Sequence, residues 1–245
     1  MGKGPPENRP PERGAPVNTG SSTSEVEAFL SKAKGLRPAG GARGRLIFAM
    51  DATASRQPSW DRALHIQAEM FETTAALGGL DVQLVFYRGF GECKASGWVS
   101  DGNALAARMT AVRCLGGRTQ LGRVFTHAAR EAAKARVGAL VFVGDAFEED
   151  IDAVADQAGR LALHGTPAFL FQEGHDPVAS AAFRQLARLT RGAHCSFDAS
   201  SAETLRRLLR AVAAYAAGGM KALEGQGSGP DGQAARLLLT SLSGR

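Results

Sequence analysis

The chain has 245 residues, 44% apolar and 22% charged, with three cysteines and a formal net charge of +5. A chain of that length can bury a sizeable core without disulfides or structural zinc, which excludes disorder throughout and a cysteine-stapled miniature fold. The excess charge suggests nucleic acid only until it is located: residues 1–45 hold eight Lys or Arg against four Asp or Glu, and the remainder 21 against 20.

Basicity therefore belongs to a leader. No run of five basic residues occurs, and the two Trp and two Tyr are not interleaved with Arg, so the globular part does not read as a nucleic-acid binder. Cys93, Cys114 and Cys195 form no C-x-x-C pair and are expected as reduced thiols of a cytoplasmic protein. No apolar stretch approaches a membrane span, and the N-terminus lacks a charged cap followed by an apolar run, so neither a membrane association nor a cleaved signal peptide is expected.

Residues 1–22 contain five of the ten prolines and four glycines, with Met1 and Val17 as their only apolar side chains of any size. Such a segment cannot offset its ordering entropy and is expected to be a disordered tail. Ser22-Thr23-Ser24-Glu25 offers an N-cap for a short helix that ends before Pro38-Ala39-Gly40-Gly41, so 23–44 reads as a short helix and linker.

From 45 to 222 the pattern is that of one domain. Leu46-Ile47-Phe48-Ala49-Met50, Val82 to Tyr87, Ala139 to Val143 and Ala168 to Phe171 are unbroken or nearly unbroken apolar runs, as in strands covered on both faces. Cys93 to Val99 is predicted as a further strand and His194 to Phe197 as a brief one. Helical periodicity lies between them, at 60–77, 101–113, 120–135, 150–163, 177–190 and 202–222. The alternation predicts an α/β fold with a mostly parallel central sheet flanked by helices on both faces. Residues 223–245 read as a flexible linker, Gly225 to Gly232, and a short apolar segment, Ala234 to Leu242, expected to dock on its own domain.

Ligands of such sheets bind at the carboxyl ends of the strands. Directly after the first strand stands Asp51-Ala52-Thr53-Ala54-Ser55, whose alternate positions turn one carboxylate and two hydroxyls to the same side. Gly116-Gly117-Arg118-Thr119-Gln120-Leu121-Gly122 brings another hydroxyl to a helix start, and Gly144-Asp145 another carboxylate to a strand end. Oxygen donors of this kind suit a hard divalent cation. Thr119 taken alone could instead cap the helix that follows it.

This ordered set resembles the von Willebrand factor A (VWA) domain with its metal-ion-dependent adhesion site (MIDAS): Asp-x-Ser/Thr-x-Ser after the first strand, a Gly-Gly-x-Thr-x-Leu-Gly loop, and an Asp after a later apolar strand. The resemblance covers about 45–220. It implies a three-layer, Rossmann-like fold, with Asp51, Thr53, Ser55, Thr119 and Asp145 as the metal-site residues. It also implies recognition of a partner protein that offers an Asp or Glu carboxylate to the cation. Thr53 stands where the family more often has Ser and keeps the hydroxyl. Two carboxylates balance one divalent ion and leave it able to take an outside anion; magnesium suits this set best, with manganese and calcium as alternatives. No free base is evident beside the two Asp, so catalysis is not expected.

The sequence is open to two other functions. Gly144-Asp145 followed by Asp150 matches the Gly-Asp-x4-Asp spacing of haloacid dehalogenase-type phosphatases, which would use Asp51 as nucleophile. Those enzymes need an acid two residues later, where this chain has Thr53, and a hydroxyl is no general acid near neutral pH. Nucleic-acid binding through the leader is the other alternative. His194 and Cys195 are adjacent on a strand and face opposite sides, while His65, His127, His164 and His175 are expected to be solvated or at helix ends. Glu148, Glu149 and Asp150 are expected to favour the start of the helix after them, and they also fall near the expected metal face. Arg56 and Trp60 are read either as interface anchors or, for Trp60, as a packing residue.

Overall fold

The apolar runs become neighbours in one sheet. The computed structural model describes residues 43–58, 60, 61, 63, 79–197 and 202–225. Its strands are β1 (Gly44–Asp51), β2 (Leu80–Arg88), β3 (Glu92–Ala95), β4 (Ala139–Gly144), β5 (Ala168–Glu173) and β6 (Ala193–Phe197), in the order β3-β2-β1-β4-β5-β6. All pairs are parallel except β2 with β3. The expected leader, the helix and linker up to residue 42, most of the helix at 60–77, and the tail from 226 lie outside the described residues.

Five helices are described in full: α1 (Gly102–Thr110), α2 (Leu121–Lys134), α3 (Ile151–Leu163), α4 (Pro177–Leu189) and α5 (Ala202–Gly225). Side-chain alternation sorts them between the two faces of the sheet. Leu46, Phe48 and Met50 of β1 join Leu105 and Met109 of α1, Trp60, and Val212 and Tyr215 of α5 in one core layer. Ile47 and Ala49 join Phe125 of α2, Leu161 of α3 and Phe183 of α4 in the other. Strands covered on both sides need the unbroken apolar sequence that marked them.

The helix starts follow from short acidic side chains. Asp101 accepts from the Ala104 amide, Asp150 from those of Asp152 and Ala153, and Asp176 from that of Ala179, with Pro177 at the first helical position. α2 differs: Gln120 precedes it and makes no side-chain cap.

The third strand is shorter than predicted. β3 ends at Ala95, and Val99 makes only an isolated antiparallel bridge to Val82. The Ser96 hydroxyl explains the break, since it donates to Gly97 O at 2.7 Å and accepts from the Leu84 amide at 3.1 Å in place of a regular ladder partner. Cys195 packs into one core layer while His194 meets Gln172 and the edge of Phe183 in the other, so the two do face opposite sides. His127 departs from expectation. It lies within α2, half-buried, with Nε2 2.8 Å from Gln83 Oε1. Among the described residues no helix is long and apolar enough to cross a membrane.

Candidate metal centre

The sheet order reverses direction between β1 and β4. From β1 the chain goes to β2 on one side, and from β3 it returns to β4 on the other, which leaves a crevice at the carboxyl ends of this pair. Asp51 ends β1 and Asp145 follows β4.

The loop after β1 is set by hydrogen bonds. Asp51 Oδ1 accepts from the Thr53 amide at 2.7 Å, and the Arg56 amide donates to Thr53 O at 3.0 Å, closing a single 3-10 turn over Ala54–Arg56. The Leu115 amide donates to Ala52 O at 3.0 Å, tying the Gly116-Gly117 loop to the same place. An open pocket of about 250 Å³ results, lined by Asp51, Thr53, Ser55, Thr119 and Asp145 together with Glu148 and the small residues Ala54, Gly116, Gly117 and Ala146. Every side-chain heteroatom of that lining is oxygen. This donor chemistry fits a hard cation, although among the described residues no group of three or more His, Cys, Asp and Glu forms a metal cluster by itself.

The two carboxylates differ. Asp51 is 1% exposed, and its Oδ2 accepts from the Tyr87 hydroxyl at 3.0 Å. Burial pushes its carboxyl above the ordinary value against the hydrogen bonds from Thr53 and Tyr87, and the nearby Asp145 adds to the rise. Burial and the same carboxylate push the Tyr87 phenol up, so the phenol remains a donor. The Asp145 side chain is 31% exposed, and its Oδ2 accepts from the Ser55 hydroxyl at 3.4 Å.

Four residues bear on the site beyond the five expected to hold the metal. Tyr87 is one, and the strand register that sets Asp51 beside it is its only signal. Glu148 is another: its Oε2 accepts from the Thr119 amide at 3.2 Å while its own amide donates to Thr119 Oγ1 at 2.9 Å. Thr119 therefore braces the β4–α3 loop and does not cap α2. Glu149 fills that role instead, accepting from the Leu121 and Gly122 amides, two donors that the start of α2 leaves free. Of the three acids expected to serve α3, only Asp150 does so. It caps that helix and does not line the pocket.

Arg56 is the fourth. Its side chain is 3% exposed, with Nη1 3.7 Å from Asp145 Oδ2 and Nη2 2.7 Å from Glu173 Oε2. Neither Nε nor Nη2 has a well-aligned hydrogen bond, so these are ion pairs by proximity. A residue so buried is no interface anchor. Trp60, also buried, donates from Nε1 to Met109 O at 3.1 Å and is a packing residue. The count of two negative charges with no further base is corrected accordingly, because Glu148 adds a third carboxylate to the lining and Arg56 approaches Asp145.

Comparison with known proteins agrees on the architecture. Neither a protein-family model nor a curated protein matches the sequence. Solved structures do match. A von Willebrand factor type A protein from Catenulispora acidiphila is 16% identical with a TM-score of 0.56, over 72% of this chain and 44% of its own. The VWA domain of SpRpn10 is 14% identical with a TM-score of 0.52, over 70% of this chain and 94% of its own. Proximal thread matrix protein 1 from the mussel byssus, solved with a zinc-occupied MIDAS motif, is 14% identical with a TM-score of 0.56, over 72% of this chain and 49% of its own. This chain thus spans less than half the length of the Catenulispora and mussel proteins. It has the von Willebrand factor A fold.

Proposed function

We propose that the chain is a metal-dependent protein-recognition module, a scaffold or assembly factor, and not an enzyme. In this reading Asp51, Thr53, Ser55, Thr119 and Asp145 hold a divalent cation, magnesium first, and a partner's Asp or Glu carboxylate completes its coordination. The bound cation supplies a positive charge to which a carboxylate oxygen can bond. The residues of this chain orient that charge: the Thr53 amide and the Tyr87 hydroxyl aim the Asp51 carboxylate, and Glu148 anchors Thr119 through its amide. The observation that carries the reading is an all-oxygen donor set gathered from three loops at the crevice between β1 and β4.

Calorimetry of the full chain with magnesium and manganese tests it. Saturable binding that Asp51→Ala abolishes is expected; no binding, or binding that the variant retains, would refute the metal site. Phosphoester hydrolysis remains the second reading because Glu148 brings a further carboxylate to the pocket. Turnover of a generic phosphate ester with magnesium, lost in Asp51→Asn, would overturn the recognition reading.

A further inference from the structure

One side of the pocket mouth is made of two loops locked together. The turn Gly89-Phe90-Gly91 between β2 and β3 packs on Gly116-Gly117 so closely that a Cβ on Gly117 would lie 2.1 Å from Gly89 O. The Arg118 amide donates to Gly89 O at 3.1 Å, and Gln120 Nε2 reaches both Arg88 O and Gly89 O at 3.2 Å. Arg123 Nη1 donates to Gly91 O at 2.6 Å. Since Gly116 and Gly117 line the pocket, side chains projecting from these loops stand beside its opening.

Those side chains are of two kinds. Phe90 is 83% exposed and Leu115 48%, the two large apolar residues left uncovered on this rim. Arg113 and Arg118 of the same loop as Leu115 and Arg123 in the first turn of α2 are exposed as well. The rim acid Glu92 is already held by Arg88 through two contacts, 2.8 and 3.1 Å, and by Lys94. Among the described residues neither Arg113 nor Arg118 has an ion-pair partner. Exposed apolar side chains and guanidinium groups without an ion-pair partner on adjoining loops suit an interface, in which aromatic and Arg residues anchor and the planar fork of Arg matches carboxylates.

We propose that this rim docks the partner, and that the partner is an acidic protein segment with a bulky apolar side chain beside the carboxylate that reaches the cation. The inference rests on the recognition reading of the pocket. The chain's own ends are poor occupants by charge: the 42 residues before Arg43 hold six Lys or Arg and four Glu, and the segment after Gly225 holds two Arg and one Asp. Nucleic acid could meet the arginines. However, Phe90 is a lone exposed aromatic here, and Asp145 and Glu148 at the pocket would repel a phosphate backbone.

The full chain, in manganese and in chelator, is to be panned against a random dodecapeptide display library, and an enriched peptide measured by fluorescence anisotropy. Enriched peptides are expected to be acidic, with an aromatic or aliphatic residue next to Asp or Glu. Affinity should fall about tenfold or more in Arg113→Glu/Arg118→Glu and severalfold in Phe90→Ser, with manganese binding unchanged in both. No enrichment, enrichment without acidic bias, or full affinity in both rim variants would overturn the rim assignment. If such binding is still lost in Asp51→Ala, the recognition reading survives without the rim. Binding that is sensitive to the rim but indifferent to chelator and to Asp51→Ala would instead sink the metal-dependent reading. Tighter binding of an oligothymidylate that displaces the peptide would make nucleic acid the partner and also overturn the inference.

Discussion

Gly117 offers the sharpest test of how the pocket is built. A methyl group there would lie 2.1 Å from Gly89 O and 2.5 Å from both Gly89 C and Cα. A carbon-to-oxygen contact needs about 3.3 Å, so the loops must part by about 1 Å. All three obstructing atoms are backbone and cannot rotate away. Separation breaks the bond from the Arg118 amide to Gly89 O, worth about 1 kcal/mol, and the residual crowding costs about 1–3 kcal/mol more. The stiffer unfolded chain returns about 0.4–1 kcal/mol. Gly117→Ala should therefore destabilise by about 2–3 kcal/mol, or roughly 5–10 °C in Tm for a chain of this size. The adjacent Gly116 is an internal control, because a Cβ there meets nothing within 4 Å. Gly116→Ala should stay within about 0.5 kcal/mol of the parent. Thermal unfolding measures both, and manganese calorimetry should show weaker binding in Gly117→Ala because Thr119 moves with its loop. Equal stability and equal affinity in the two variants would refute this account of the loop contact.

The other expectations concern the site's supports and the core. Glu149→Ala removes both acceptors at the start of α2 and should cost about 1–2 kcal/mol in urea unfolding; parent-like stability would show that water satisfies those amides equally well. Burial lowers the His127 pKa, so the unfolded chain binds the extra proton first as pH falls. Its contribution to stability is full above the unfolded value of about 6.5 and is lost below it until the folded pKa is passed. His127→Gln should flatten that part of the stability profile, and an unchanged slope would refute the assignment. Trp60→Ala removes a buried ring that meets Phe86 edge-on at 6.1 Å and donates to Met109 O; a loss of about 3–5 kcal/mol is expected, and less than 1 kcal/mol would contradict the packing role.

Much of the architecture was legible because strands covered on both faces are mostly apolar, with few polar exceptions such as Gln83 and Gln172 that find partners. Leu46 to Met50 and Ala139 to Val143 became β1 and β4 with small changes at their ends. The order of Asp51, Thr119 and Asp145 along the chain was equally plain. The shortening of β3 was not, because the Ser96 hydroxyl competes with the ladder only once Leu84 lies opposite. The partners of Glu148 and Glu149 were hidden for a similar reason. Proximity along the chain suggested the start of α3 as well as the metal face, whereas folding brings the start of α2 against them.

By itself the sequence determined the α/β alternation, the strand-end or helix-start location of the oxygen-bearing residues, and the concentration of the basic excess in residues 1–45. These rest on composition and on periodicities of two and 3.6, which are local. Only the tertiary structure decided that Tyr87 would hold Asp51, that Arg56 would be buried between Asp145 and Glu173, and that the Gly89 turn would pack on Gly117 at the edge of the pocket. Each of these depends on parallel register or on two distant loops meeting, and no local pattern encodes which strand becomes a neighbour.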